Sequence, residues 1–226
     1  MLFNSFIAGA SLLGLASAHF QVEYPYWRGD SFAPGRSQWN FPCAGVNETT
    51  DISNRTQWPA TGGSIRLHVS HPWALTYVNL GIGTNVSSFN ISLVTQFNQT
   101  GNGTFCLKET GKAALAAGLA KAGLDAKSID GMQASLQIIQ IASTGASLFN
   151  CADITFNSSA TLLPDNQCSN STNVGGVPIV NAGSTPTNSS ATPTGSAKPS
   201  SSTGAAAMLK PVGVMALGLG FAVGMM

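Results

Sequence analysis

The chain has 226 residues, only 8% of them charged, with a formal net charge of +1 at pH 7. So weak and balanced a charge excludes the basic surface that nucleic acid needs and the charge runs that recruit an oppositely charged partner. Hydrophobic residues make up 43% of the chain, enough to build a core.

In chain order, residues 2–15 are apolar or small and lead into Ala16-Ser17-Ala18. A short apolar region followed by an A-x-A site is the layout of a secretory signal peptide, although no Lys or Arg precedes it. The run is shorter than the ~20 apolar residues of a relaxed membrane span. We expect a signal peptide over 1–18, whose removal would leave His19 as the first residue. The folded candidate then runs over 19–170, a length that suits one domain.

Within it, apolar residues alternate along Ser64–Ser70, a half-buried strand pattern. Leu75–Ile82 and Phe89–Val94 continue the theme after His71-Pro72, and Ser135–Ala142 and Ala152–Phe156 complete it. Short strands separated by Gly and Asn turns predict an all-β fold, a β-sandwich. Lys112–Ser128 is rich in Ala and Leu and predicts a short helical insert.

Four cysteines, Cys43, Cys106, Cys151 and Cys168, fit two disulfides in a secreted chain. Three pairings are open; we favour Cys43–Cys151 with Cys106–Cys168. N-x-S/T sequons stand at Asn47, Asn54, Asn85, Asn90, Asn98, Asn102, Asn157, Asn170 and Asn188, and mark surface positions for N-glycans. Residues 171–203 are rich in Ser, Thr, Pro and Gly and read as an O-glycosylated stalk. Small residues at 200–204 and an uncharged apolar tail to Met226 read as a GPI signal, with 204–226 removed. The expected location is the outer face of the plasma membrane, with transfer to the cell wall left open.

The chemistry centres on the histidines, of which there are three: His19, His68 and His71. A first-residue histidine chelates one metal through its α-amine and its ring. One further imidazole completes a three-nitrogen set, a histidine brace, which suits Cu(II). His68 shares the solvent-facing side of its strand with Arg66 and Ser64. His71 stands at the strand end before Pro72, where scaffolds present functional side chains, and is preferred over His68. Glu23, Asp30, Glu48 and Asp51 are scattered carboxylates without a pairing signal. Tyr24, Tyr26, Trp27 and Trp39 suit a core better than a sugar platform.

His19-Phe20, Phe41-Pro42-Cys43-Ala44-Gly45 to Gly62-Gly63-Ser64, His71-Pro72-Trp73, Val78 to Gly83, Phe89-Asn90-Ile91, Gly101 to Cys106 and Asn150-Cys151-Ala152-Asp153-Ile154 resemble the fungal copper acquisition factor (Bim-like) domain, a relative of lytic polysaccharide monooxygenases. The resemblance spans His19 to about Phe156. It implies an immunoglobulin- or fibronectin-like sandwich holding one Cu(II), with His19 and His71 as brace histidines and Asp153 as a further ligand. An Asp there fills a position that an oxygenase keeps open. The implied function is copper acquisition at the cell surface without catalysis. The copper ion, a membrane copper transporter and the membrane itself, through the anchor, are the partners; a monomer is expected. A copper oxygenase acting on wall polysaccharide and a structural wall glycoprotein are the alternatives.

Overall fold

The computed structural model describes residues 19–179, all within one compact unit. The expected signal peptide, most of the stalk and the GPI propeptide lie outside the described residues. The fold has two sheets. One joins β1 (Phe20–Tyr24), β3 (Ile65–Val69) and β6 (Gly103–Leu107), in the order β1-β3-β6. The other joins β2 (Thr56–Trp58), β8 (Ser147–Phe156), β7 (Gln133–Ala142), β4 (Trp73–Ile82), β5 (Ile91–Thr100) and β9 (Gly175–Pro178), in that order. Every pairing is antiparallel except β2 with β8. This is the expected all-β sandwich.

The alternation seen in the sequence becomes burial. Ile65, Leu67 and Val69 of β3 are buried, and His68 between them is exposed. Ala74, Thr76, Val78 and Leu80 of β4 are buried in the same two-residue rhythm. The sheets meet through large side chains. Phe97 of β5 stacks on Phe105 of β6 at 5.2 Å between ring centres. Within the six-stranded sheet Trp58 of β2 lies 6.2 Å from Phe156 of β8, and its indole N–H donates to the Ser64 carbonyl, next to β3, at 3.1 Å. Each such side chain contributes about 1.5–3 kcal/mol by leaving water.

The expected helix is present but shorter than the 112–128 segment. α1 spans Lys112–Lys121 and buries Leu115 and Leu119, which lie one turn apart and pack on β5. Gly123, in the left-handed region at φ +71°, ends it, as glycine does after a helix terminus. The domain also runs past the expected boundary at 170. Val174 is buried in the core, and β9 pairs with β5 from Thr100↔Gly175 to Phe97↔Pro178. Backbone pairing needs no large side chains, so a Gly-rich segment could be read as stalk and still add a strand.

Both favoured disulfides are present. Cys43–Cys151 ties the long β1–β2 connection to β8, and Cys106–Cys168 ties the C-terminal segment to β6. That segment is also stitched to β6 by Ser171 N donating to the Thr104 carbonyl at 2.9 Å and Cys106 N donating to Asn170 Oδ1 at 2.8 Å. The Cys106–Cys168 bridge closes a separation of 62 residues. Its replacement by two alanines should lower unfolding free energy by about 4 kcal/mol in urea titration. A loss under about 1 kcal/mol would mean that the hydrogen bonds alone hold the segment.

Candidate metal centre

The pairing of β1 with β3 positions the two preferred histidines. Its register runs Val22↔Leu67, Gln21↔His68, Phe20↔Val69, so one further step sets His19 opposite Ser70. The backbone confirms that step. Ser70 N donates to the His19 carbonyl at 3.2 Å, His19 N donates to Ser70 Oγ at 3.1 Å, and the Ser70 hydroxyl donates to the His19 carbonyl. His71 follows at once, where β3 has ended and β4 has not begun.

His71 is 1% exposed, and its Nε2 is buried without a hydrogen-bond partner among the described residues. Burial first, and then the charge of nearby His19, hold its pKa below the usual histidine value. The ring is therefore neutral at pH 7 and keeps a lone pair for a metal. A buried polar nitrogen left unpaired costs about 1–3 kcal/mol.

The strand that carries His19 is clasped from the side. The Gln38 side chain accepts from Phe20 N at 3.2 Å and donates to the Phe20 carbonyl at 2.7 Å, as a neighbouring strand would. It also donates to Ser31 Oγ at 2.8 Å, and its own backbone carbonyl accepts from Phe149 N at 2.7 Å. Asn150 Nδ2, from β8, donates to the same Phe20 carbonyl at 2.9 Å. Phe32 sets its ring 5.4 Å from the His19 ring and 6.0 Å from that of Trp27. Gln38 sits in a connection without periodicity, so no local pattern marks it. Asn150 lies in the Asn150–Ile154 stretch, yet only its three-dimensional contact reveals its role.

Asp153, the further ligand that the resemblance implies, sits beneath the β1–β2 connection among polar partners. It is 1% exposed. Its Oδ1 accepts from Arg28 Nε at 2.9 Å, Arg28 Nη2 at 2.8 Å and Ser135 Oγ at 2.7 Å, and its Oδ2 accepts from Thr49 N at 2.9 Å. Among the described residues no three His, Cys, Asp or Glu side chains form a metal-holding group. The Arg28 guanidinium is buried and has to be paired, and Asp153 pairs it. The network extends to Glu48, which lies 3.8 Å from Arg28 Nη2, accepts from Arg55 Nη2 at 2.5 Å and accepts from Val86 N at 2.6 Å. Two arginines and two carboxylates thus neutralise one another beneath the surface. Glu48, read from the sequence as a scattered carboxylate, is part of this core. His68 points outward, as expected. Of the four aromatic residues, Trp27 is buried, whereas Tyr26 and Trp39 are 65% and 68% exposed.

His19 and His71 thus stand near one strand end of a two-sheet sandwich, and sequence comparison supplies the family. Residues 17–173 match the family described as copper acquisition factor BIM1-like. The chain belongs to that family. It is 34% identical to the lytic polysaccharide monooxygenase-like protein ham-7 of Neurospora crassa, over 77% of this chain and 81% of that protein. A lytic polysaccharide monooxygenase-like protein of Emericella nidulans is 30% identical, over 68% and 72% respectively. The X325 protein of Aspergillus fumigatus, of the same description, is 31% identical over 63% of this chain and 68% of its own length.

The buried charge network makes a prediction that separates scaffold from ligand. Asp153→Ala leaves Arg28 without its closest counter-charge, and should cost about 3–5 kcal/mol in metal-free denaturant unfolding. Adding Arg28→Met should restore a large part of that loss. A metal-free protein indifferent to Asp153→Ala would remove the structural role assigned to the pair.

Proposed function

We propose that this protein binds Cu(II) at the cell surface and holds it for transfer, through the α-amine and ring of His19 and the ring of His71. The observation that carries the reading is the buried, unpartnered Nε2 of His71 beside a His19 whose backbone is fixed by Ser70 and whose neighbour Phe20 is clasped by Gln38. An all-nitrogen donor set of amine and imidazoles fits copper. The family description and the names of the relatives support a copper role. Cleavage after Ala18 frees the His19 amine, and a GPI anchor beyond the stalk keeps the domain outside the cell, where a membrane copper transporter is the fitting acceptor. When bound, copper supplies a tightly held ion that can be passed on. The chain's part is to hold His71 neutral, fix the entry of β1 and set the two histidines on adjoining backbone.

One observation favours a second reading, a copper oxygenase acting on wall polysaccharide. Both carboxylate oxygens of Asp153 accept from Arg28, Ser135 and Thr49, and catalytic metal sites keep a coordination position open. Release of oxidised oligosaccharides from chitin or glucan, above a free-copper control, distinguishes this reading from simple carriage.

The test is Cu(II) electron paramagnetic resonance on the secreted protein with its native N-terminus, beside His71→Ala and a version carrying one residue before His19. The native protein should give a nitrogen-rich signal that both variants lose. Retention of the same signal in the extended version would overturn the brace. The α-amine, with an ordinary pKa of about 7.7–8.0, is the first ligand that protons compete for as pH falls. Copper affinity should therefore fall ~10-fold per pH unit below about 7.5 in competitive titration.

A further inference from the structure

The end of the sandwich that carries His71 also carries a sequon. β5 and β6 are joined by a tight turn at Gly101-Asn102, and Gly101 and Gly103 on either side of Asn102 take φ of +81° and +131°. Gly101 N donates to the Pro72 carbonyl at 2.8 Å, and Gly103 pairs with Val69. The turn is therefore bound to both sides of the Ser70-His71 corner. Its other side packs on the C-terminal segment: a Cβ at Gly101 would come within 2.1 Å of the Asn173 carbonyl oxygen. Asn102 is exposed at the tip of this turn. Trp73, 40% exposed, pairs with Thr100 on the adjacent strand, two residues before Asn102.

We infer that Asn102 carries an N-glycan whose first sugars cover Trp73 and overhang the His19–His71 end, admitting a small copper donor and excluding extended polysaccharide. The shielding role rests on the copper reading; the attachment itself does not. Glycans attach to exposed sequons, and a rigid turn gives the glycan a fixed origin beside the metal end. An aromatic face left half in water offers an apolar surface for the pyranose ring to cover. In the attachment, Asn102 Nδ2 bonds to the anomeric carbon of the first sugar. The bond from that carbon to a polyisoprenyl diphosphate breaks, the diphosphate leaves, and one amide proton is released. The sequon at Asn85 makes the contrast, since it lies in the β4–β5 turn at the opposite end of those strands from the Trp73–Thr100 pair.

The experiment uses the full chain secreted from a fungal host, with glycopeptide mass spectrometry and retention on insoluble chitin and β-glucan. Asn102 should be occupied. Asn102→Gln should raise retention about tenfold, equivalent to ~1.4 kcal/mol of regained contact, while Asn85→Gln leaves it unchanged. Native protein trimmed with an endoglycosidase should move the same way, which covers the case of a variant that fails to be secreted. An unmodified Asn102, or retention that neither Asn102→Gln nor trimming changes, overturns the inference. Copper resonance on the same samples keeps the two readings apart: loss of the copper signal in native protein, with occupancy and retention as expected, refutes the brace and leaves a glycan that keeps polymer off this end.

Discussion

The site depends on a single strand pairing. β1 lies against β3 in a register that sets His19 opposite Ser70, and this brings the His19 ring close enough for its charge to act on His71. A proposed ligand at the start of a mature chain can be held from one side only, because no residue upstream restrains it. The protein meets that constraint with side chains in place of a second neighbouring strand. Gln38 contacts both polar groups of the Phe20 backbone, and Asn150 adds a second donor to the same carbonyl. A site proposed to hold a metal and pass it on still needs its donors fixed beforehand, since ordering them at binding would lower affinity.

The buried charges serve the same end by another route. Arg28, Glu48, Arg55 and Asp153 lie where the β1–β2 connection crosses β7 and β8. Such a network adds little net stability over an apolar core, but it tolerates few alternative arrangements. It anchors the connection next to Trp27, whose backbone bridges Ala152 and whose ring adjoins Phe32. The path from the charge network to the His19 ring thus runs through two aromatic side chains.

Much of this was legible in the sequence, and for a simple reason. Strand alternation, cysteine parity and the place of His71 before Pro72 are local signals, and the structure bears out the sandwich, the two disulfides and the corner position of His71. What escaped was non-local or written in the backbone. β9 has almost no side-chain pattern, so its pairing with β5 could not be read from Gly175–Pro178. Gln38 matters through a contact with a residue 18 positions away. Asp153 was assigned by resemblance to the metal, whereas its partner Arg28 is separated from it by 125 residues. A carboxylate's neighbours decide its role, and no single stretch of chain contains them.

The same clasps have a consequence for how copies of this domain behave when crowded. A sandwich has open sheet edges, and unpaired edges invite strand addition from another chain. Here Gln38 and Asn150 occupy the polar groups of Phe20 on β1, and the Asn170–Ser171 segment occupies groups on β6. β2 is only three residues long, and β9 ends at Pro178, which has no N–H to offer. The features that fix the histidines and close the C-terminal end therefore also leave little exposed ladder for cross-β association between copies of the domain.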